Sequence, residues 1–381
     1  MMLLSGSVFG QEDSVVQKDL GEILINGLHL DKKKQSREGK KVRFSVIPVA
    51  PGSSGGKQLA VSAVSAAFYI GSPKLTKLSS ISFIPYTNFS GTGGFVIRPN
   101  LWMQENKWNV TGELRLAGNY LNTYGLGANT KPEAETIVKY SQGRVYGIIN
   151  RRVIASFYLG GGIDLDYFYN IEEQNPGMED SDFKKYGIGT AGSVSSTGLL
   201  VSLLRDSRSN SVNPEGGFYT SSIYRIQGKD FGSEHSWSSF YFDTRKYFSL
   251  SEKQHNILAF WFLYWGTYGD VPYLNLPGTA LDFSSRTGRG YSLGRYLGKQ
   301  MLYGETEYRF DISANGLWGG VVFTNIQSYT ELESEKFEYL KVGAGAGVRL
   351  KFDKKSNTNL TLDFGFGRDS FNVRLNLGEV F

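Results

Sequence analysis

Residues alternate two by two over long stretches of this chain. In 108–120 the even positions carry Trp108, Val110, Gly112, Leu114, Leu116, Gly118 and Tyr120, while the odd ones carry Asn109, Thr111, Glu113, Arg115 and Asn119. A period of two belongs to a strand with one apolar and one wet face. The pattern returns in 340–353, where Lys341, Arg349, Lys351 and Asp353 share a parity, and in 304–312, where Glu305, Glu307, Arg309 and Asp311 do. It returns once more in 371–377. A soluble sandwich also alternates. Two features point instead to a bilayer. The runs reach the roughly 9–11 residues that a tilted membrane strand needs. Aromatics also cluster like a girdle, as in Phe260-Trp261-Phe262 with Tyr264-Trp265. In lipid every backbone group must be paired internally, so such a sheet must close.

Composition narrows the alternatives. The 47 Gly and the 14% aromatic content suit many strands and turns and argue against disorder. The absence of Cys excludes disulfide scaffolds and thiolate metal sites. A helical membrane span needs about 18 consecutive apolar residues; the longest mostly apolar run, 59–70, is interrupted by Ser62 and Ser65. The fold expected is therefore all-β: a 16-stranded antiparallel transmembrane barrel. Strands are expected to start near Val42, Lys57, Leu78, Gly94, Lys107, Thr136, Val153, Gly187, Phe218, Ser236, His255, Met301, Leu317, Tyr339, Asn357 and Ser370. Short turns (104–106, 250–252, 314–316) then fall on the periplasmic side and long connections (122–135, 171–186, 269–299) outside.

Three regions are expected: 1–10, a residual signal-peptide-like segment or a frayed terminus; 11–41, an amphipathic helix and basic linker; and 42–381, the barrel. In 14–29, Val16, Leu20, Ile23, Leu24 and Leu28 recur at helical spacing. This helix either plugs the lumen, covers the periplasmic mouth, or is loosely ordered. The basic run that follows, with Lys32, Lys33 and Lys34, is a solvated linker or a contact with lipid headgroups.

The connection 269–299 holds Gly288-Arg289-Gly290-Tyr291 and Gly294-Arg295-Tyr296. A guanidinium in a partly dehydrated lumen seeks carboxylates, and flanking Gly lets the backbone approach a wall. This motif resembles the Val-Arg-Gly-Phe/Tyr signature of BamA/TamA-type (bacterial surface antigen) outer-membrane proteins. So do Arg205-Asp206 with Asn213-Pro214 and Gly217 as the turn between strands eight and nine, 305–310 as strand twelve, 343–349 as strand fourteen, and the C-terminus 377–381. The alternating Phe371, Val373, Leu375, Leu377 and the terminal Phe381 resemble the tag by which barrel precursors are recognised.

The resemblance implies that the sixth outer loop folds into the lumen and that Arg289, with Gly290 and Tyr291, docks on the inner wall. Two positions depart from the family pattern. Gly288 replaces Val, and Asn325 stands where the family has the Asp that pairs with the Arg, so it offers a hydrogen-bond acceptor without an ion pair. Glu305 or Glu307, on the inner face of strand twelve, would supply the charge, with Arg289–Glu307 as the expected pair. Residues before Val42 are too few for the periplasmic polypeptide-transport-associated domains of the family, so a barrel-only member is expected.

Nothing points to an enzyme. His29, His235 and His255 lie in separate segments, so no triad or metal cluster forms. No cofactor is expected. The acidic run Glu331, Glu333, Glu335 and Glu338 is a solvated loop or a divalent-cation site near lipopolysaccharide. The net charge of +5 is modest and spread out, so nucleic acid is not an expected partner. The expected location is a bacterial, Gram-negative-type outer membrane, with its lipids and lipopolysaccharide as surroundings. Three functions compete. One is assembly or transport of protein or lipid through a weak seam between the first strand, which carries Pro48, and the last. The second is a passive or gated pore. The third is a structural subunit, a homodimer or a partner to a client barrel, joined through its edge strands.

Overall fold

The computed structural model describes residues 17–20, 22–23, 42–54, 57–88, 92–174, 181–251 and 255–381. One antiparallel sheet holds every strand in sequence order. Its first half is β1 (Val42–Ser54), β2 (Lys57–Phe68), β3 (Ser79–Thr87), β4 (Gly93–Trp102), β5 (Trp108–Thr123), β6 (Thr136–Ile154), β7 (Phe157–Glu173) and β8 (Gly192–Asp206). The second half is β9 (Gly217–Gln227), β10 (Trp237–Ser249), β11 (Ile257–Gly269), β12 (Gln300–Asp311), β13 (Trp318–Tyr329), β14 (Lys341–Asp353), β15 (Thr358–Gly367) and β16 (Ser370–Leu377). β1 and β16 approach each other. Among the described residues no ladder joins them.

Alternation decides which face is which. In β8, Leu199, Val201 and Leu203 are exposed, while Ser196, Leu200, Ser202 and Leu204, on the opposite parity, are buried. In β12 and β13, Glu305, Glu307, Arg309, Asn325 and Gln327 are buried, whereas Val322 and Ile326 are exposed. The outward face is thus apolar, while the inward face carries these charged and amide side chains among apolar ones such as Leu200, Leu204 and Tyr303. Soluble monomers rarely expose contiguous apolar patches beyond a few hundred Å². This face continues over β6, β7, β11, β14 and β15 through Val145, Ile149, Ile163, Phe260, Phe262, Val342, Phe364 and Phe366. Among the described residues no helix is long and apolar enough to cross a membrane, which says nothing about strands.

The sheet is strongly curved. In a flat sheet, β6 and β11 would lie about 24 Å apart, five steps of about 4.8 Å. Yet the ring of Phe283, in the β11–β12 connection, stacks on Tyr146 of β6 at 4.9 Å and on Trp265 of β11 at 6.5 Å, with Tyr241 of β10 edge-on at 4.8 Å. Trp102 of β4 meets Tyr158 of β7 at 5.5 Å. Lys77, between β2 and β3, reaches Asp206 at the end of β8 at 3.1 Å. The ends of β5, β7 and β11, from which the long connections leave, lie on one side of the antiparallel sheet.

Two boundaries differ from expectation. β6 runs through Ile154 and turns at Ala155, whose φ is 44°, so β7 begins at Phe157 instead of near Val153. β8 begins at Gly192, not near Gly187. A short helix α1 (Asp182–Tyr186) intervenes, capped by the Ser181 side chain and ended by Gly187 in the left-handed region.

The segment 1–10, the basic run 32–41 and most of the helix expected over 14–29 lie outside the described residues. What is described of that segment sits at the short-turn end. Asp19 accepts from the Lys354 amide at 3.2 Å, Gln17 bonds His255 at 3.2 Å, and Lys18 donates to the Asn315 carbonyl at 3.3 Å.

Candidate functional site

The connection 270–299 is the best-anchored feature of the inner face. Asp282 organises its tip. Burial opposes the charge on Asp282, but hydrogen bonds from Thr287, Arg286 and Ser284 outweigh it and hold the carboxyl below its ordinary range. The Thr287 amide donates at 2.9 Å and the Arg286 amide at 3.0 Å. This turn delivers Gly288-Arg289-Gly290 to the wall. Gly288 and Gly290 have φ of 67° and 104°, a region that favours glycine. A Cβ on Gly290 would lie 2.8 Å from the Phe366 backbone of β15.

Arg289 is 1% exposed. Its Nη2 contacts the carboxylates of Glu305 and Glu307 on β12, and its Nη1 donates to Asp363 of β15 at 3.1 Å. The guanidinium stacks 3.7 Å from the Phe323 ring centroid. The acids have further partners. Arg309 pairs with Glu307. Arg349 bridges Asp363 at 2.5 Å and Glu379 at 2.8 Å. The Tyr303 hydroxyl donates to Glu305. A buried cation is tolerable only when paired and hydrogen-bonded, and this network supplies both.

Tyr291 is fully buried; its hydroxyl donates to the Val342 carbonyl at 2.7 Å and accepts from the Arg368 amide at 3.1 Å. Its ring lies over Gly367, where a Cβ would stand 2.4 Å from it. Arg295 donates to the Thr130 carbonyl and hydroxyl, both at 3.0 Å, and lies between the rings of Tyr124 and Tyr296. The loop also grips the end of the chain. Arg286 donates to the carbonyls of Glu379 and Val380 at 2.7 and 2.8 Å, and Arg374 of β16 donates back to the carbonyls of Arg286 and Thr287 at 2.8 and 3.0 Å.

Sequence reasoning and geometry part at three places. Asn325 does not take the guanidinium; its side-chain nitrogen donates to the Arg289 carbonyl at 2.9 Å. Asp363 was missed, although the alternation of Thr361, Asp363 and Gly365 on one parity of β15 was a signal for an inward carboxylate. The five C-terminal residues do not share a face. Phe371 and Val373 are exposed and Leu375 and Leu377 half-buried, but Phe381 is 2% exposed on the inner face. Gly378, with φ of 84°, turns the chain off β16, and Phe381 packs on Trp261 at 5.3 Å.

The β8–β9 turn residues gather at the short-turn end. Asp206 is buried and pairs with Arg208 and Lys77, both at 3.1 Å. Arg205 lies outward against the rings of Phe157 and Phe218. Asn213 donates from its amide to Asn210 at 3.2 Å. The Pro214 carbonyl accepts from Arg309 at 3.2 Å, which ties this turn to the arginine network. Gly217 has φ of 96°, and a Cβ there would meet the Ser207 carbonyl at 2.8 Å. Next to it, His255 and Glu215 pair at 3.3 Å; each stabilises the other's charge, raising the imidazole above 6.5 and lowering the carboxyl below 4.5.

Among the described residues no group of His, Asp or Glu has the arrangement of a metal site. No family model and no curated protein sequence matches the chain. Solved structures do. BamA from Haemophilus ducreyi lacking POTRA domains 1-3 superposes with a TM-score of 0.53 at 13% identity, over 88% of this chain and 69% of that one. CdiB from Acinetobacter baumannii gives 0.50 at 10%, over 86% of this chain and 56% of that one. The chain therefore spans little more than half of the CdiB chain. At such identities the likeness is one of fold: an all-β antiparallel sheet of the kind these two barrels share.

Proposed function

We propose that this chain is a sixteen-stranded barrel of a Gram-negative-type outer membrane, whose first and last strands meet at a weakly paired seam and whose lumen is plugged by the connection 270–299. We further propose that it belongs with the BamA/TamA-type assembly and translocation factors. It acts through the seam between β1 and β16, where a strand of a client, or lipid, can enter. The outward apolar face supports the membrane location. The curvature of the sheet and the approach of β16 to β1 support the barrel.

The observation that carries the seam is the missing ladder between β1 and β16 among the described residues. Open edges are templates for strand addition. The pairing of β1 with β2 also shifts between Ile47 and Ala50, around Pro48, which lacks a ladder donor. The buried rings of Tyr291 and Tyr296 beside the arginine network speak against a steadily open pore. Homodimerisation or partnering through the edges would use the same strands.

The chain has no Cys, so a tether is clean to build. Val42→Cys or Phe44→Cys is combined with Leu375→Cys or Leu377→Cys, at the ends of β1 and β16 that share the short-turn side. The protein is reconstituted in vesicles, and passage of a fluorescent phospholipid between leaflets and insertion of an unfolded barrel are followed. The oxidised tether is expected to abolish either activity and reduction to restore it. Full activity in a fully cross-linked sample refutes the seam.

A further inference from the structure

A surface groove of about 470 Å³ opens on the outward face of β9 to β13, within the roughly 300–1,000 Å³ of small-molecule sites. It follows from the register. In one row across the sheet Gly304 lies between Phe262 and Ile326. In the next row toward the short turns run Lys246, Phe260, Thr306 and Thr324. The missing side chain at Gly304 and the short threonines leave a depression, and the exposed Phe260, Phe262 and Ile326 wall it. Lys246 stands at its short-turn end. Its ammonium lies 5.0 Å from the Phe248 ring, and among the described residues no carboxylate pairs with it.

We propose that this groove holds one anionic glycerophospholipid, its phosphate at Lys246 and an acyl chain over Gly304 between Phe262 and Ile326. The proposal rests on the membrane reading above. Apolar walls on a lipid-facing surface accept hydrocarbon. A cation without a carboxylate partner, one row (about 7 Å) along and two strands (about 10 Å) across from the floor, accepts the phosphate of the same molecule. Charge complementarity selects an anionic headgroup over a zwitterionic one.

The wild type, Gly304→Leu, Lys246→Glu and the control Gly147→Leu are reconstituted in vesicles of phosphatidylethanolamine with a minor share of phosphatidylglycerol. Flotation is checked first. Retained lipid is then identified by native mass spectrometry after transfer to mild detergent. A Cβ at Gly304 meets only Ile326, at 3.4 Å, an ordinary contact, and one at Gly147 meets nothing within 4 Å, so both leucines fit the fold. The wild type and the control are expected to keep one phosphatidylglycerol. Gly304→Leu and Lys246→Glu should each weaken retention by about fivefold or more.

Equal retention in all four proteins overturns the proposal. So does equal retention of the two lipids by the wild type, or a stable dimer through this face. A wild type that does not float refutes the membrane reading itself, a result distinct from floating proteins with unselective lipid.

Discussion

Arg289 carries the sharpest energetic prediction. Arg289→Ala removes a buried cation from three carboxylates, but the loss is uneven. Glu307 retains Arg309 and Asp363 retains Arg349. Glu305 retains the Tyr303 hydroxyl and, among the described residues, no other cation. Breaking a buried ion pair from one side costs about 3–5 kcal/mol, because the remaining charge stays buried and uncompensated. Since two of the three acids keep a partner, the lower end, about 3 kcal/mol, is expected. Removing both partners is far cheaper than removing one. Arg289→Met with Glu305→Gln should therefore be more stable than Arg289→Met alone, with a coupling of about 1–3 kcal/mol. Glu307 is the poorer choice for this cycle, or for a charge swap, since Arg309 shares it. The assay is urea unfolding of the detergent-folded protein, followed by the fluorescence of the inner Trp261 and Trp265. A cost below about 1 kcal/mol for the single variant, or a double variant no more stable than it, refutes the reasoning.

Other outcomes follow from the same geometry. Gly290→Ala should cost about 1–3 kcal/mol from backbone strain with the Phe366 contact added, and should loosen the loop as judged by protease cleavage within 270–299; an unchanged protein would contradict the close approach. Gly378→Ala, at φ of 84° and with a Cβ 2.8 Å from Val212, should free Phe381 from Trp261 and shift the tryptophan emission to the red. The His255–Glu215 pair should contribute only about 0.2–1 kcal/mol, being half exposed. The His255 share is complete below its ordinary 6.5 and is lost as pH rises through its raised value; the Glu215 share is complete above its ordinary 4.5 and is lost as pH falls through its lowered value. The pair therefore stabilises most between these values, and His255→Ala should flatten that part of the stability curve. In planar bilayers the wild type should be nearly silent and Arg289→Ala should open intermittently; a steadily conducting wild type would favour an open pore.

The all-β character was legible because alternation is a local property: residues 108–120 display both faces of β5 without help from any other strand. The arginine motif was legible because two glycines around a charged residue in a long connection have few uses other than a close approach. What was hidden is nonlocal. That Asp363 meets Arg289 depends on the curvature that brings β15 beside β12 through the loop, and alternation gives the parity of a residue without its angular position. The tucked Phe381 was hidden for a related reason. The parity of 371–377 extends past Leu377 on paper, and one glycine with positive φ ends it. α1 was hidden because a single capped turn is shorter than any periodicity can register.

Backbone amide exchange of the vesicle-embedded protein tests the central claim most directly, because protection reports whether each strand has a partner on both sides. The account predicts deep protection in β6 and β7, and in β1 and β16 exchange faster by orders of magnitude at the amides that point toward the seam. Protection of β1 and β16 equal to that of β6 and β7 would mean a continuous ladder closes the sheet, and would contradict a function that works through the seam.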